Sequence, residues 1–311
     1  MKSAQVKATD RLVDPYGRQV NSLRISLTQR CNFDCFFCHQ EGESGPNGEV
    51  TPEEIETVVS VAAELGINKV KLTGGEPLLR DDIVEIVRKI SPYVDEVSMT
   101  TNGYMLKEKA CDLREAGLNR VNISFHSTDP EKFCKIIGRE SVQAVREGIE
   151  EAIRCGLSPI KLNMVVMNGI NDMEIEDMIT FSRETGVTLQ LIEYQALEKG
   201  VEEYDSYHFD LKSLEEQLAA RSQSIVEREM HRRKQYHLKG GGIVEVVRPM
   251  HNSEFCAYCT RLRMTSDGHL KPCLMREDNH LEAVSLMRNG GREELVEAFK
   301  EAVAAREPFW K

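Results

Sequence analysis

Cys31, Cys35 and Cys38 place three thiols inside the stretch RCNFDCFFCH, and Cys256, Cys259 and Cys273 place three more inside FCAYCTRLRMTSDGHLKPCL. Thiolates are soft donors, so each set reads first as a metal centre. A structural zinc ion closes a shell of four ligands. The spacing C-x3-C-x2-C supplies three, and His39 would have to be the fourth, although adjacent residues on a tight loop seldom converge on one ion. An iron–sulfur cluster on three cysteines instead leaves one iron open to another ligand. The second set, C-x2-C-x13-C, poses the same choice. A zinc knuckle completed by His251, His269 or His280 stands against a second cluster. Arg261 and Arg263 weigh on the side of a ligand-binding centre. At i and i+2 of a strand they share one face beside the sulfurs, where a guanidinium pair suits an anion or a purine edge.

The elements that must hold these groups follow a rhythm. Strand-like runs at 23–28, 69–73, 96–101, 120–125, 160–167 and 187–194 alternate with helical patterns near 52–65, 81–90, 107–116, 141–155 and 172–185. Six such β/α units predict a parallel sheet with crossover helices, an incomplete (β/α)6 barrel over residues 1–200. Ligands of such sheets bind at the C-terminal ends of the strands. Cys31–Cys38, Gly74-Gly75-Glu76-Pro77, Asn102-Gly103 and Ser124 all follow or end strands at that rim. After a charged linker at 198–205, residues 201–311 read as a smaller α+β domain, with a helix near 210–220 and hairpin turns at KGGG (239–242) and Asp267-Gly268.

The chain has 311 residues, of which 41% are hydrophobic, and a net charge of −11. That balance argues against broad binding to nucleic acid or an anionic membrane. No apolar run reaches the roughly 18 residues of a membrane span. The start, MKSAQVKATD, has no signal-peptide core, so a cytoplasmic protein is expected. Nine cysteines, an odd number, argue against a disulfide framework, and Cys111, Cys134 and Cys155 read as solitary.

The first thiol set, directly after the first strand of a β/α series, resembles the radical S-adenosylmethionine superfamily. That resemblance implies a 4Fe–4S cluster on Cys31, Cys35 and Cys38, the catalytic centre, whose open iron takes the amino and carboxylate groups of S-adenosylmethionine. Reduction of the cluster would then break the S–C5′ bond and give a 5′-deoxyadenosyl radical. It also implies contacts to S-adenosylmethionine from Phe37 (against the adenine), Gly75 and Glu76 (at the methionine amino group) and the Ser124 hydroxyl.

Through LVDPYGR (12–18), LRISLTQRCNFDCFFC, KLTGGEPLLR and CTRLRMTSDGHLKPCL, most of the chain is similar to the GTP 3′,8-cyclase family that begins molybdenum-cofactor biosynthesis. This implies a second 4Fe–4S cluster on Cys256, Cys259 and Cys273 that binds guanine. It implies GTP contacts from Arg24, Lys69, Lys71, Thr100, Lys161, Arg261 and Arg263. A buried triphosphate requires several cations, and lysines facing the interior of a parallel sheet need such a reason. The reaction implied is GTP to (8S)-3′,8-cyclo-7,8-dihydro-GTP. The implied partners are an external electron donor of reduced ferredoxin or flavodoxin type and cyclic pyranopterin monophosphate synthase as recipient of the product, with the enzyme a monomer or homodimer. The chain departs from the family pattern at Lys71, His126, Gln190 and Gln195, and it ends REPFWK where the family has a double glycine. Gly290-Gly291 reads as a break between helices. Two rival readings stand beside this one: a peptide-modifying radical enzyme with an auxiliary cluster, and a metal-bound module without turnover.

Overall fold

The computed structural model describes residues 11–43, 48–197 and 201–310; the first residues of the expected linker, 198–200, lie outside them. The six expected strands are present as β1 (Ser22–Ser26), β2 (Lys69–Thr73), β3 (Glu96–Thr101), β4 (Arg120–Ser124), β5 (Lys161–Val166) and β6 (Thr188–Glu193). They pair in chain order, all parallel. The crossover helices are α1 (Pro52–Glu64), α2 (Ile83–Ile90), α3 (Leu106–Ala116), α4 (Pro130–Ile137), α5 (Val142–Arg154) and α6 (Ile175–Thr185). α1 starts on a capping box. Thr51 accepts from the Glu54 N–H, the Glu54 side chain accepts in return from the Thr51 N–H, and Pro52 holds the first turn. α4 was not expected, although Asp129 caps it, Pro130 opens it and Gly138 closes it at φ 75°.

Beyond residue 200 lie α7 (Tyr204–Tyr207), α8 (Leu211–Arg221), β7 (Ser222–Glu227), β8 (Lys234–Leu238), β9 (Ile243–Val247), α9 (Ser253–Ala257), β10 (Arg261–Met264), β11 (His269–Lys271), β12 (Leu281–Glu282), α10 (Ala283–Gly290) and α11 (Arg292–Ala304). Both expected hairpin turns are formed, between β8 and β9 and between β10 and β11. Gly290-Gly291 does separate two helices. These later strands join the sheet already described. β10 pairs parallel with β1, and β9 pairs parallel with β6. The described residues therefore form one open sheet in the order β12-β11-β10-β1-β2-β3-β4-β5-β6-β9-β8-β7. The physical reason is that β1 and β6 would otherwise present rows of unpaired backbone groups at both edges of the sheet.

Alternation along the strands sorts the side chains. Leu23, Ile25, Val70, Leu72, Val97, Met99, Val121, Ile123, Leu162 and Met164 are buried in the apolar core. Positions between them carry polar groups that share the other face. Strand register then sets these polar groups side by side: Arg263, Arg24 and Lys71 are partners across β10, β1 and β2, and Asn122 and Lys161 across β4 and β5.

One cysteine expectation fails. Cys111 in α3 and Cys155 at the end of α5 form a disulfide, so two of the three cysteines read as solitary are paired. An odd total excludes a fully paired framework and leaves room for one bond.

Candidate active site

A cavity of about 490 Å³ opens on the polar face of the sheet. All six cysteines of the two sets line it, together with Phe37, Gly75, Ser124, Arg24, Lys69, Lys71, Thr100, Lys161, Arg261 and Arg263. Among the expected site residues, Glu76 alone is absent from its wall. Its side chain is fully buried, accepting from the Asn102 N–H (2.7 Å), the Leu78 N–H (2.9 Å) and the Thr101 hydroxyl (2.7 Å). Burial raises its carboxyl to about 7. These contacts make Glu76 a tie between the loops after β2 and β3.

The neighbouring glycines are required by the chain itself. A Cβ on Gly75 would stand 2.2 Å from the Arg30 carbonyl oxygen, and one on Gly74 2.4 Å from that of Thr28. The Gly75 and Glu76 N–H groups donate to those same carbonyls. The loop that carries the first thiols therefore rests on Gly74-Gly75. The Gly75→Ala variant is expected to lose about 1–3 kcal/mol through overpacking and to lose metal at Cys31, Cys35 and Cys38 first. Thermal unfolding and iron content per chain measure the two effects; a normal iron content would show that the loop does not depend on this contact.

Phe37 packs edge-on against His126, ring centroids 4.9 Å apart. His126 is buried, which lowers its pKa to about 4, and its Nδ1 accepts from the Val165 N–H. A neutral ring thus stands at this expected departure.

The cations are arranged around two buried carboxylates that sequence reasoning did not single out. Glu41, in a left-handed turn at φ 55°, binds Arg24 and, at 2.9 Å, Arg263. Burial alone would raise its carboxyl, but the two guanidiniums outweigh that and hold it far below the usual range. Glu245 of β9 binds Lys161 and, at 2.9 Å, Arg233. It also accepts from Gln190 at 2.7 Å, and its pKa is held at about 2 because Arg233 and Lys161 outweigh burial. Burial lowers Lys161 to about 8. Lys71 has no carboxylate partner among the described residues and donates to Asn122 at 3.1 Å. Burial first, then Arg120, Arg24, Arg261 and Lys161, lower its pKa well below the ordinary value. Arg261 is also without a carboxylate among the described residues, and its Nε is buried with no acceptor. Lys71 and Arg261 are therefore the cations most in need of an anion from outside the chain.

The second thiol set is braced by residues far away in sequence. Arg18 donates to the Cys256 carbonyl (2.9 Å) and Arg306 to the Cys259 carbonyl (2.6 Å). Both guanidiniums converge on Asp14, at 2.6 and 2.9 Å. Burial would raise the Cys259 thiol, but Arg306, Arg261 and Arg263 outweigh it and favour the thiolate. Asp14 and Arg18 stand in the segment LVDPYGR, whose role no spacing revealed.

The donor sets fit clusters better than single ions. Four ligands on one zinc at about 2.3 Å hold their sulfurs about 4 Å apart. Among the described residues, neither thiol set, alone or with a histidine, gathers three ligand atoms within 4.8 Å. Three of the four candidate histidines have other contacts: His39 accepts from the Glu41 N–H, His269 lies 3.0 Å from Asp267, and His251 lies tilted against Trp310, while His280 keeps a buried Nε2 with no partner among the described residues. Three sulfurs spread around one cavity wall suit a polynuclear cluster, with Cys31, Cys35 and Cys38 able to hold one and Cys256, Cys259 and Cys273 another.

Residues 25–182 match the profile of the Radical SAM superfamily, and residues 187–311 match that of Molybdenum Cofactor Synthesis C. Among solved structures, the fold is similar to Streptococcus suis SuiB bound to S-adenosylmethionine, with a TM-score of 0.65 at 15% identity over 87% of this chain and 65% of that one. It is also similar to anSMEcpe with bound AdoMet, with a TM-score of 0.60 at 17% identity over 90% of this chain and 84% of that one. The fold and site are those of a radical S-adenosylmethionine enzyme. Among curated proteins, the chain is 54% identical to the probable GTP 3′,8-cyclase of Thermococcus kodakarensis, over 96% of this chain and 100% of the relative. It is 49% identical to the protein of the same description from Pyrococcus abyssi, over 96% and 99%. The chain belongs to the GTP 3′,8-cyclase family.

Proposed function

We propose that this chain converts GTP to (8S)-3′,8-cyclo-7,8-dihydro-GTP, the first step of molybdenum-cofactor biosynthesis. The observation that carries the reading is the meeting in one cavity of two three-thiol sets and a group of cations, of which Lys71 and Arg261 have no carboxylate partner among the described residues. We assign Cys31, Cys35 and Cys38 to the first 4Fe–4S cluster and Cys256, Cys259 and Cys273 to the second. When bound, the first supplies the electron that cleaves S-adenosylmethionine. The chain's own residues position the reactants. Phe37, Gly75 and Ser124 line the S-adenosylmethionine side of the cavity, while Glu76 ties the loop that supports them. Arg24, Lys69, Lys71, Thr100, Lys161, Arg261 and Arg263 receive the nucleotide, with Lys71 and Arg261, which pair with no carboxylate among the described residues, offsetting phosphate charge.

In this reading residues 1–200 form the barrel portion and residues 201–311 complete it with the second cluster. The enzyme works in the cytoplasm as a monomer or homodimer, receives electrons from a reduced ferredoxin or flavodoxin, and passes its product to cyclic pyranopterin monophosphate synthase. No helix among the described residues is long and apolar enough to cross a membrane. The solved neighbours share the fold alone, so they lend no weight to a peptide substrate.

The test is anaerobic reconstitution followed by iron analysis and incubation with dithionite, S-adenosylmethionine and GTP. About eight irons per chain and a cyclised nucleotide by mass spectrometry are expected; stoichiometric zinc in place of iron would overturn the assignment. Nucleotide affinity supplies a finer check. Losing a charge-assisted hydrogen bond to a buried ligand costs roughly 1.5–3 kcal/mol, or about 10- to 150-fold in Kd. Arg261→Ala is expected to reach the upper part of that range. Arg263→Ala should fall lower, because Arg263 is already shared with Glu41. Equal GTP affinity in both variants and the parent protein would reduce the pair to a solvated face.

A further inference from the structure

The stretch after α11 is built into the wall of the cavity. Arg306 is held by Asp14 and the Cys259 carbonyl, and Phe309 and Trp310 line the same cavity as the six thiols. The Trp310 backbone N–H donates to the Cys256 sulfur at 3.5 Å. The indole lies against His251 with centroids 4.2 Å apart, and Phe309 meets it edge-on at 4.8 Å. His251 adopts φ 48° in this arrangement, a conformation that non-glycine residues seldom take. The indole Nε1 is buried without an acceptor among the described residues. Several unfavourable local features are thus tolerated at one point, over one sulfur.

We infer that Trp310 is a positioning residue of the second sulfur site, donating its backbone N–H to the Cys256 ligand and shielding that ligand with its ring. This rests on the reading that Cys256, Cys259 and Cys273 hold a cluster. A hydrogen bond to a ligand sulfur withdraws electron density and raises the reduction potential of the cluster it serves, while the surrounding side chains control solvent access. Nothing in the reaction requires Trp310 to touch the nucleotide. Its effect passes through Cys256.

Two measurements on the reconstituted holoenzyme test this without recourse to activity. The first separates the N–H from the ring. Trp310→Ala keeps the donor and loses the indole, whereas Trp310→Pro loses both. Midpoint potentials are read by electron paramagnetic resonance from the cluster signal that S-adenosylmethionine leaves unchanged. The Pro variant is expected to titrate at a more negative potential than the Ala variant; equal potentials would overturn the role of the N–H. The second measurement uses the fact that Trp310 is the chain's only tryptophan. Its emission should fall several-fold on iron loading in the parent protein and in Cys38→Ala, and far less in Cys273→Ala. Emission that follows the first site, or ignores both, would overturn the contact. Iron content separates the two failures: a protein with one four-iron cluster defeats the reading of the second thiol set, whereas two clusters with equal Ala and Pro potentials defeat the inference about Trp310 alone.

Discussion

A Cys38→Ala variant, reconstituted without oxygen, should release no 5′-deoxyadenosine from S-adenosylmethionine, while a Cys273→Ala variant should still release it slowly and uncoupled from GTP. The two sets stand on different supports. Cys31, Cys35 and Cys38 lie on the loop after β1 that rests on Gly74-Gly75. Cys273 follows β11, and its neighbours Cys256 and Cys259 are braced by Arg18 and Arg306. The supports touch where Glu41 binds Arg263 and the Gly42 carbonyl accepts from Lys271, so iron at each set is counted in both variants. Cyclised nucleotide should be lost from both variants, because a base displaced by even 1 Å can lose about a hundredfold in rate. Both products are measured in one reaction by liquid chromatography and mass spectrometry. Normal cyclised product from a Cys273→Ala protein that lacks its second cluster would refute the division of roles.

The largest expected effect on stability belongs to Asp14. Its carboxylate lies between the guanidiniums of Arg18 and Arg306, and all three side chains are almost fully buried. Asp14→Ala leaves two buried like charges facing one another with no counterion. Removing one partner from a buried ion pair costs about 3–5 kcal/mol. The same arginines hold the carbonyls of Cys256 and Cys259, so the variant should also lose iron from the second set while keeping it in the first. Chemical denaturation of the metal-loaded protein, with iron counted beforehand, reads both effects. A loss under 1 kcal/mol with full iron content would show that the brace carries no load. Arg306→Lys should recover only part of the stability, since an ammonium cannot reach Asp14 and the Cys259 carbonyl in the same fork.

Much of this arrangement is legible in the sequence because it is local. Alternation in β1 to β6, a hydroxyl cap at Thr51 and two clustered thiol sets are each read within a short window. α4 carries comparable signals in Asp129, Pro130 and Gly138. Other features have no local signature. Nothing in LVDPYGR announces that Asp14 will meet Arg306, and no propensity places Glu41 in a left-handed turn between Arg24 and Arg263. Both arise only when segments far apart in sequence are brought together by the fold. The Cys111–Cys155 bond is hidden for a different reason, since the number of cysteines in the whole chain says nothing about one pair brought together by two packed helices.

The pairing of β10 with β1 has a consequence for how the molecule is made. Ser22 must wait for Arg261 to be synthesised before that edge can close. At ordinary translation rates of about 5–20 residues per second, the delay is roughly 10–50 s. β6 waits for β9 as well, though more briefly. The nascent barrel therefore emerges with both flanks unpaired. Cluster insertion at Cys31, Cys35 and Cys38 can precede completion of the sheet, whereas Cys256, Cys259 and Cys273 become a site only as the second flank is sealed. Assembly acquires a fixed order, and nascent chains rich in open edges would be a natural client for chaperones during that interval.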